Sequence, residues 1–115
     1  MHNFLSLADF TRAEIHDLLA LAARLERHPE PDALRGRVLG LLFFNPSLRT
    51  LASFQSAMSR LGGSSFVIAP GQGSWQIETR DGVIMNGAAA EHVRVAIPVL
   101  ASYADALGIR AFAGG

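Results

Sequence analysis

Apolar residues recur at helical spacing near the amino terminus of the chain. One face of such a helix would hold Ile15, Leu18, Leu19, Ala22 and Leu25. Thr11, with Glu14 three residues later, forms the capping-box pattern that begins a helix. Pro29 and Pro31 cannot continue the helical hydrogen bonds. The pattern therefore predicts an amphipathic helix over about residues 12–27.

Three largely apolar runs follow, and each has the length of a strand. They are residues 38–44, which are unbroken, and residues 65–69 and 108–112, which include Ser65 and Arg110. A run without alternating polar residues is typical of a strand that is covered on both faces. Such strands belong to the interior of a sheet that has helices on both sides.

Helical patterns separate these runs. Residues 48–61 place apolar side chains on one stripe and end at Gly62-Gly63, and residues 89–107 form a third helix with Pro98 inside it. The polar, glycine-rich segment 70–82 predicts a long loop. Strands that alternate with helices predict an α/β fold, with a parallel sheet flanked by helices and right-handed crossovers.

Composition narrows the function classes. The 115 residues are half apolar, which is enough for the core of one domain over residues 1–115. The net charge is zero and the ten basic residues, all arginine, form no basic cluster, so we expect no nucleic-acid partner. No cysteine is present, and no apolar run approaches membrane-spanning length. We expect a cytoplasmic protein without a membrane partner, and the end of the chain just after a buried strand predicts a fragment of a longer protein.

The stretch Asn-Pro-Ser-Leu-Arg-Thr, residues 45–50, joins the first predicted strand to the second helix. Ligands of open parallel sheets bind where strands end and helices begin, and a helix N-terminus attracts anions. Ser47 and Thr50 can offer hydroxyl groups, and the guanidinium of Arg49 suits phosphate oxygens. The alternative is that Ser47 is only an N-cap and that Arg49 is a solvated residue of the first turn.

Arg110 interrupts the last apolar run at its carboxyl end. In a parallel sheet this end lies on the same rim as residues 45–50. A charged side chain there must reach solvent or a partner, because an unpaired buried charge is costly. Two arginines and a helix N-terminus on one rim favour an anion-binding pocket.

The stretch FFNPSLRTLASF resembles the carbamoyl-phosphate motif of the aspartate/ornithine carbamoyltransferase family. The opening helix FLSLADFTRAEIHDLLALAARL and the arginine-bearing strand GIRAF are similar to the same family. The resemblance covers essentially the whole chain and implies the amino-terminal, carbamoyl-phosphate-binding domain. The family's second domain, which binds the amino-acid substrate, is absent from these residues.

Within the family, the chain most resembles the N-acetylornithine and N-succinylornithine carbamoyltransferases. NPSLRT and the loop GSWQIETRDGVIMNGAAAEH are similar to that branch. Aspartate carbamoyltransferases lend a lysine of the corresponding loop to the neighbouring subunit. The absence of any lysine here weighs against that branch.

The resemblance also implies roles for individual residues. Carbamoyl phosphate would be bound by Ser47, Leu48 (through its backbone), Arg49, Thr50, Trp75 and Arg110. Arg49 and Arg110 would be catalytic by stabilising charge on the leaving phosphate. Trp75 would reach the site of a neighbouring subunit in a homotrimer, while Ala90 and His92 would contact the amino-acid substrate. We expect no metal ion and no other cofactor.

The implied reaction is transfer of a carbamoyl group to the side-chain amine of an N-acylated ornithine in arginine biosynthesis. Three positions depart from the family pattern: Leu51 replaces an arginine, Asn86 replaces an aspartate, and residues 88–90 are all alanine. Two alternatives stay open. One is a carbamoyltransferase that acts on free ornithine, and the other is a degenerate, non-catalytic module for anion binding or oligomerisation. The isolated chain, without the second domain, is expected to be inactive.

Overall fold

The computed structural model describes residues 3–70, 76–78 and 89–111. After a short 3-10 helix at Leu7–Asp9, its elements are α1 (Arg12–Arg27), β1 (Val38–Phe43), α2 (Leu48–Arg60), β2 (Ser64–Ile68), β3 (Gln76–Glu78), β4 (Ala89–His92), α3 (Val93–Tyr103) and β5 (Ala106–Arg110). The chain divides into two compact units, Met1–Glu30 and Pro31–Gly115. Over the described ranges, every helix is too short or too polar to cross a bilayer.

The first unit contains α1, which begins at the capping box that the sequence predicts. The hydroxyl of Thr11 accepts a hydrogen bond from the Glu14 backbone N–H at 3.1 Å. The Glu14 carboxylate in turn accepts one from the Thr11 backbone N–H at 2.8 Å. The predicted helix over residues 12–27 is confirmed at both ends. Just before it, the rings of Phe4 and Phe10 pack with their centroids 4.6 Å apart.

The second unit contains a three-stranded parallel sheet in the order β2-β1-β5. Successive residues of a strand point to opposite faces, and in β1 both Leu41 and Leu42 are only 1% exposed. Both faces of β1 are therefore covered, which explains its unbroken apolar sequence. The predicted parallel sheet flanked by helices is confirmed.

The two crossovers of this sheet run in opposite directions across it. The first leaves β1, passes through α2 and enters β2; the second leaves β2 and reaches β5 through α3. Parallel crossovers are right-handed, so α2 and α3 cover opposite faces. The carboxyl ends of the three strands meet at one rim, where α2 begins.

The third helix is shorter than the predicted span of residues 89–107. Residues 89–92 form β4, which pairs with β3 in a parallel ladder, and α3 starts only at Val93. Alanine favours helices, but strand pairing overrides this intrinsic preference at Ala89 and Ala90. Strand β3 falls inside the predicted loop 70–82, most of which lies outside the described residues. The presence of Pro98 inside a helix is confirmed.

The carboxyl end of α3 also differs from the prediction. The helix ends at Tyr103, and β5 begins at Ala106 instead of Gly108. The cause lies in Asp105, whose backbone N–H donates to the Val38 carbonyl at 2.8 Å. This bond extends the chain alongside β1 and starts the new strand early.

The Asp105 carboxylate joins the start of β1 to the turn before β5. It accepts a hydrogen bond from the Val38 backbone N–H at 2.8 Å and another from the Arg37 guanidinium at 3.2 Å. These two bonds hold the pKa of Asp105 below its usual value. The folded state thus favours the ionised form. Its contribution to stability is present above the unfolded-state pKa and is lost as the pH falls through the lower folded-state pKa.

We expect Asp105→Asn to lower the unfolding midpoint at neutral pH. The difference from the wild-type chain should shrink as the pH falls below about 4, where the unfolded aspartate already binds a proton. Thermal unfolding at a series of pH values measures both effects. Asp32→Asn, at an exposed position, is the control and should leave the midpoint unchanged. A difference that stayed constant at every pH would contradict the role of ionisation.

Candidate functional site

Helix α2 begins without a side-chain cap. Its N-cap residue, Ser47, has an extended backbone with φ −159° and ψ 101°, and its hydroxyl accepts no hydrogen bond from the first turn. The first backbone N–H groups of a helix have no partner within it. Here those of Leu48, Arg49 and Thr50 find no acceptor in the part of the chain that the structure describes. They are free to bind a ligand at the positive end of the helix dipole.

Helix α1, in contrast to α2, begins with a complete set of side-chain caps. There the Thr11 hydroxyl and the Glu14 carboxylate form a complete capping box, with an acidic residue in the first turn. The first turn of α2 has no acidic residue. Ser47 thus occupies the N-cap position that the sequence allowed as an alternative, but its hydroxyl remains available to a ligand.

Arg49 stands in the first turn of α2 and is exposed. A cation at this end of a helix is disfavoured by the dipole unless an anion is bound nearby. Its guanidinium forms no ion pair with another described residue, whereas Arg37 pairs with Asp105 at 3.2 Å. Thr50, the next residue, is half-buried. The first turn of α2 therefore presents a charged group together with free backbone N–H groups.

Arg110 is the last residue of β5 and pairs in register with Phe43, the last residue of β1. Residues that pair across parallel strands project to the same face of the sheet. The α2 face can be identified from Gln55, whose amide donates to the Ser65 hydroxyl of β2 at 3.5 Å. Ser65 pairs with Leu39, which lies on the same face of β1 as Phe43. Arg110 thus lies on the rim where α2 begins and on the face that α2 covers.

At this rim, two hydrogen bonds connect the residues that follow β1 to the end of β5 and the residue after it. The Phe44 backbone N–H donates to the Arg110 carbonyl at 3.0 Å. The Asn45 side-chain amide donates to the Ala111 carbonyl at 2.9 Å. The sequence indicates an asparagine before a proline at a strand end, but it cannot reveal a partner 66 residues away.

A cavity of about 270 Å³ opens beside the first turn of α2, between it and the carboxyl end of β2. Its lining is apolar apart from Ser47, and consists of Phe43, Phe44, Pro46, Ser47, Leu48, Leu51, Val67, Ala69 and Pro70. Leu51, at the position where the family pattern has an arginine, forms part of this wall and is half-buried. The replacement therefore makes the wall apolar and leaves Arg49 in place.

Four other positions that the sequence analysis named are Trp75, Asn86, Ala90 and His92. Trp75 and Asn86 lie outside the described residues. Ala90 and His92 belong to β4, so His92 ends a strand and is not in the first turn of a helix as the sequence predicts. Strand pairing with β3 is the reason for this correction. Within the described ranges, no group of histidine, aspartate and glutamate side chains is arranged to hold a metal ion.

Comparison with protein families gives a match over residues 2–115. The matching family model is described as the aspartate/ornithine carbamoyltransferase, carbamoyl-P binding domain. It covers nearly the whole chain, including both arginines of the rim.

Individual relatives agree with this match. The N-acetylornithine carbamoyltransferase of Xanthomonas campestris pv. campestris is 40% identical over 112 residues, which cover 97% of this chain and 33% of that protein. The N-succinylornithine carbamoyltransferase of Bacteroides thetaiotaomicron is 47% identical over 79 residues, which cover 69% of this chain and 25% of that protein. The chain spans about a third of the length of the curated relatives it matches.

A solved structure has the same fold. It is a variant of N-acetyl-L-ornithine transcarbamylase complexed with carbamyl phosphate and N-succinyl-L-norvaline. The TM-score is 0.90 at 41% sequence identity, and the match covers 97% of this chain and 34% of that one.

Proposed function

This chain belongs to the aspartate/ornithine carbamoyltransferase family, as its carbamoyl-phosphate-binding domain, and from this premise we propose that it supplies the carbamoyl-phosphate half of a carbamoyltransferase active site. The acceptor in the proposed reaction is the side-chain amine of an N-acylated ornithine. The chain spans only a third of its relatives' length, so the other half of the site would come from a second, amino-acid-binding domain.

One observation supports the proposal above the others. The first turn of α2 has free backbone N–H groups, no side-chain cap and no acidic residue, and it contains an arginine. Arg110 approaches from the end of a neighbouring strand on the same face. A phosphate group satisfies all of these groups at once, because it offers several charged oxygens to converging donors.

The chemistry of carbamoyl transfer fits such a site. The amine nitrogen attacks the carbamoyl carbon, a C–N bond forms, and the bond from that carbon to the phosphate oxygen breaks. Phosphate leaves with the bonding electron pair, and the amine proton passes to the leaving phosphate. Arg49, Arg110 and the N–H groups of α2 stabilise negative charge on that phosphate as it develops. The same contacts hold the carbamoyl group still for attack.

The proposal extends to the wider arrangement of the enzyme. We propose a cytoplasmic homotrimer in which Trp75 closes over the site of a neighbouring subunit, with Ala90 and His92 near the amino-acid substrate. The isolated chain would bind carbamoyl phosphate weakly and would not turn it over, because the acceptor site belongs to the second domain. Arginine biosynthesis is the process in which such an enzyme would act.

The choice of acceptor rests on the similarity to N-acetylornithine and N-succinylornithine carbamoyltransferases. Ala90, which precedes Glu91-His92 and would lie near the amino-acid substrate, does not identify which acyl group the substrate has. Assays of a complete protein that contains this chain, with acetylornithine, succinylornithine and ornithine as acceptors, separate the three possibilities. Turnover of ornithine alone would contradict the N-acylated acceptor.

Direct binding tests the half-site. We expect calorimetric titration to detect carbamoyl phosphate binding to the wild-type chain, with inorganic phosphate as a competitor. Arg49→Ala should weaken the affinity about tenfold, as expected for the loss of one charge-assisted hydrogen bond at an exposed position. Arg60→Ala removes an equal charge from the last turn of the same helix and is the control. Equal, weak binding by the wild-type chain and Arg49→Ala would instead favour the degenerate module.

A further inference from the structure

Asn45 makes a long-range contact at the point where β1 turns towards α2. Its side-chain amide donates to the carbonyl of Ala111 at 2.9 Å, and Ala111 directly follows Arg110. One residue earlier, the Phe44 backbone N–H donates to the Arg110 carbonyl at 3.0 Å. The Asn45 amide thus adds one more hydrogen bond after the strand ladder has ended.

At this point of the chain, a further hydrogen bond to β5 has to come from a side chain and not from the backbone. The next residue, Pro46, has no backbone N–H to donate. Proline also restricts the residue before it to an extended backbone, which leads the chain directly to the N-cap at Ser47. The backbone after Phe44 therefore leaves the ladder, and the carboxamide of Asn45 spans the remaining gap to β5.

The position of β5 makes this bond important for Arg110. Strand β5 is at the edge of the sheet and pairs with β1 alone among the described strands. Its last residues are exposed, with Ile109 at 52%. In the described part of the chain, the carboxyl end of β5 is thus held from one side, by β1 and by Asn45.

We propose that Asn45 is a positioning residue that fixes Arg110 relative to the first turn of α2. The proposal rests on the proposed function, because it assumes that both groups contact one phosphate. Asn45 precedes Pro46 and Ser47 in the loop that sets the start of α2, and it is bonded to the residue after Arg110. A single side chain therefore connects the two halves of the anion site. If it is lost, each half remains, and only the pairing of β5 with β1, which ends at the Phe44–Arg110 hydrogen bond, restrains the spacing between them.

A double-mutant cycle tests this role. Asn45→Ala should weaken binding of carbamoyl phosphate about threefold to tenfold, the effect of losing one hydrogen bond that orders a ligand group. In the Arg110→Ala background, the same substitution should cause no further loss, because there is no longer a guanidinium to position. Asn45→Leu, which keeps the side-chain size without the donor, should behave in the same way.

A matched control separates positioning from stability. Asp105→Ala breaks the contact between β1 and the segment before β5 at the opposite end of the same two strands. It should lower the unfolding midpoint while leaving carbamoyl phosphate affinity unchanged. If Asn45→Ala acted only through stability, its effect on affinity would match that of Asp105→Ala and would persist without Arg110.

Amide hydrogen exchange gives a second measurement that needs no ligand. The Phe44 amide should exchange faster in Asn45→Ala and Asn45→Leu than in the wild-type chain, because the bond beyond it is lost. Unchanged exchange in both variants, or additive affinity losses with Arg110→Ala, would overturn the positioning role. Absence of carbamoyl phosphate binding by the wild-type chain would instead overturn the proposed function. Faster Phe44 exchange in the variants would even then support the structural role of the bond from Asn45 to Ala111.

Discussion

Carbamoyl phosphate is expected to bind the Arg49→Ala/Arg110→Ala double variant at least about a hundredfold more weakly than the wild-type chain. The two guanidinium groups come from different elements, the first turn of α2 and the end of β5. Each substitution removes a charge-assisted hydrogen bond to the phosphate. The backbone N–H groups of α2 would remain, so residual binding would report their separate contribution. Calorimetric titration at a fixed, physiological salt concentration measures the difference.

The control for this result must remove the same amount of charge elsewhere. Arg35→Ala/Arg60→Ala lowers the net charge equally at two exposed positions, one of them in the last turn of α2. Its affinity should stay within about twofold of the wild-type value, because exposed charges at a distance are screened. Equal losses in the two double variants would mean that net charge, and not a phosphate site, determines binding.

Local sequence signals predict much of the fold. The capping box at Thr11 and the prolines after it predict α1 with its observed bounds. The unbroken apolar run of β1 indicates a strand covered on both faces, as the burial of Leu41 and Leu42 confirms. In both cases the decisive interactions lie within a few residues or depend only on burial, which the pattern of apolar positions reports directly.

The errors arise where pairing between distant segments decides the structure. Ala89 and Ala90 favour a helix by their intrinsic propensity, yet both belong to β4, in which Ala89 pairs with Gln76 of β3. Asp105 ends α3 early through bonds to Val38, which lies 67 residues away. No local pattern can contain these bonds, because the partner is a backbone group that any residue could supply.

The candidate site likewise combines parts that the sequence predicts with a connection that it does not. The segment from Ser47 to Thr50 and the interrupted strand at Arg110 could be predicted as two halves of one rim, because the carboxyl ends of parallel strands always meet. The connection between the halves could not. It depends on the Asn45 side chain and the carbonyl of Ala111, and an asparagine before a proline is common in turns of many kinds.

Leu48→Pro is expected to weaken carbamoyl phosphate binding about thirtyfold or more without unfolding α2. Leu48 is the first residue of the helix, where proline is well tolerated because its backbone N–H has no helical partner. The extended backbone of Ser47 suits a residue that precedes proline. The substitution removes one N–H group from the anion site and places a ring atom where a phosphate oxygen would lie. Titration measures the affinity, and circular dichroism measures the helix content.

The matched control for this variant is Leu48→Ala. It removes the same side chain, which is 83% exposed, but keeps the backbone N–H group. The affinity of Leu48→Ala should equal that of the wild-type chain, so any loss specific to proline belongs to the missing donor and the added ring. If both variants bound carbamoyl phosphate equally well, the phosphate would not contact the backbone at this position. The anion site would then consist of the two arginines, the hydroxyl groups and the backbone N–H groups of Arg49 and Thr50.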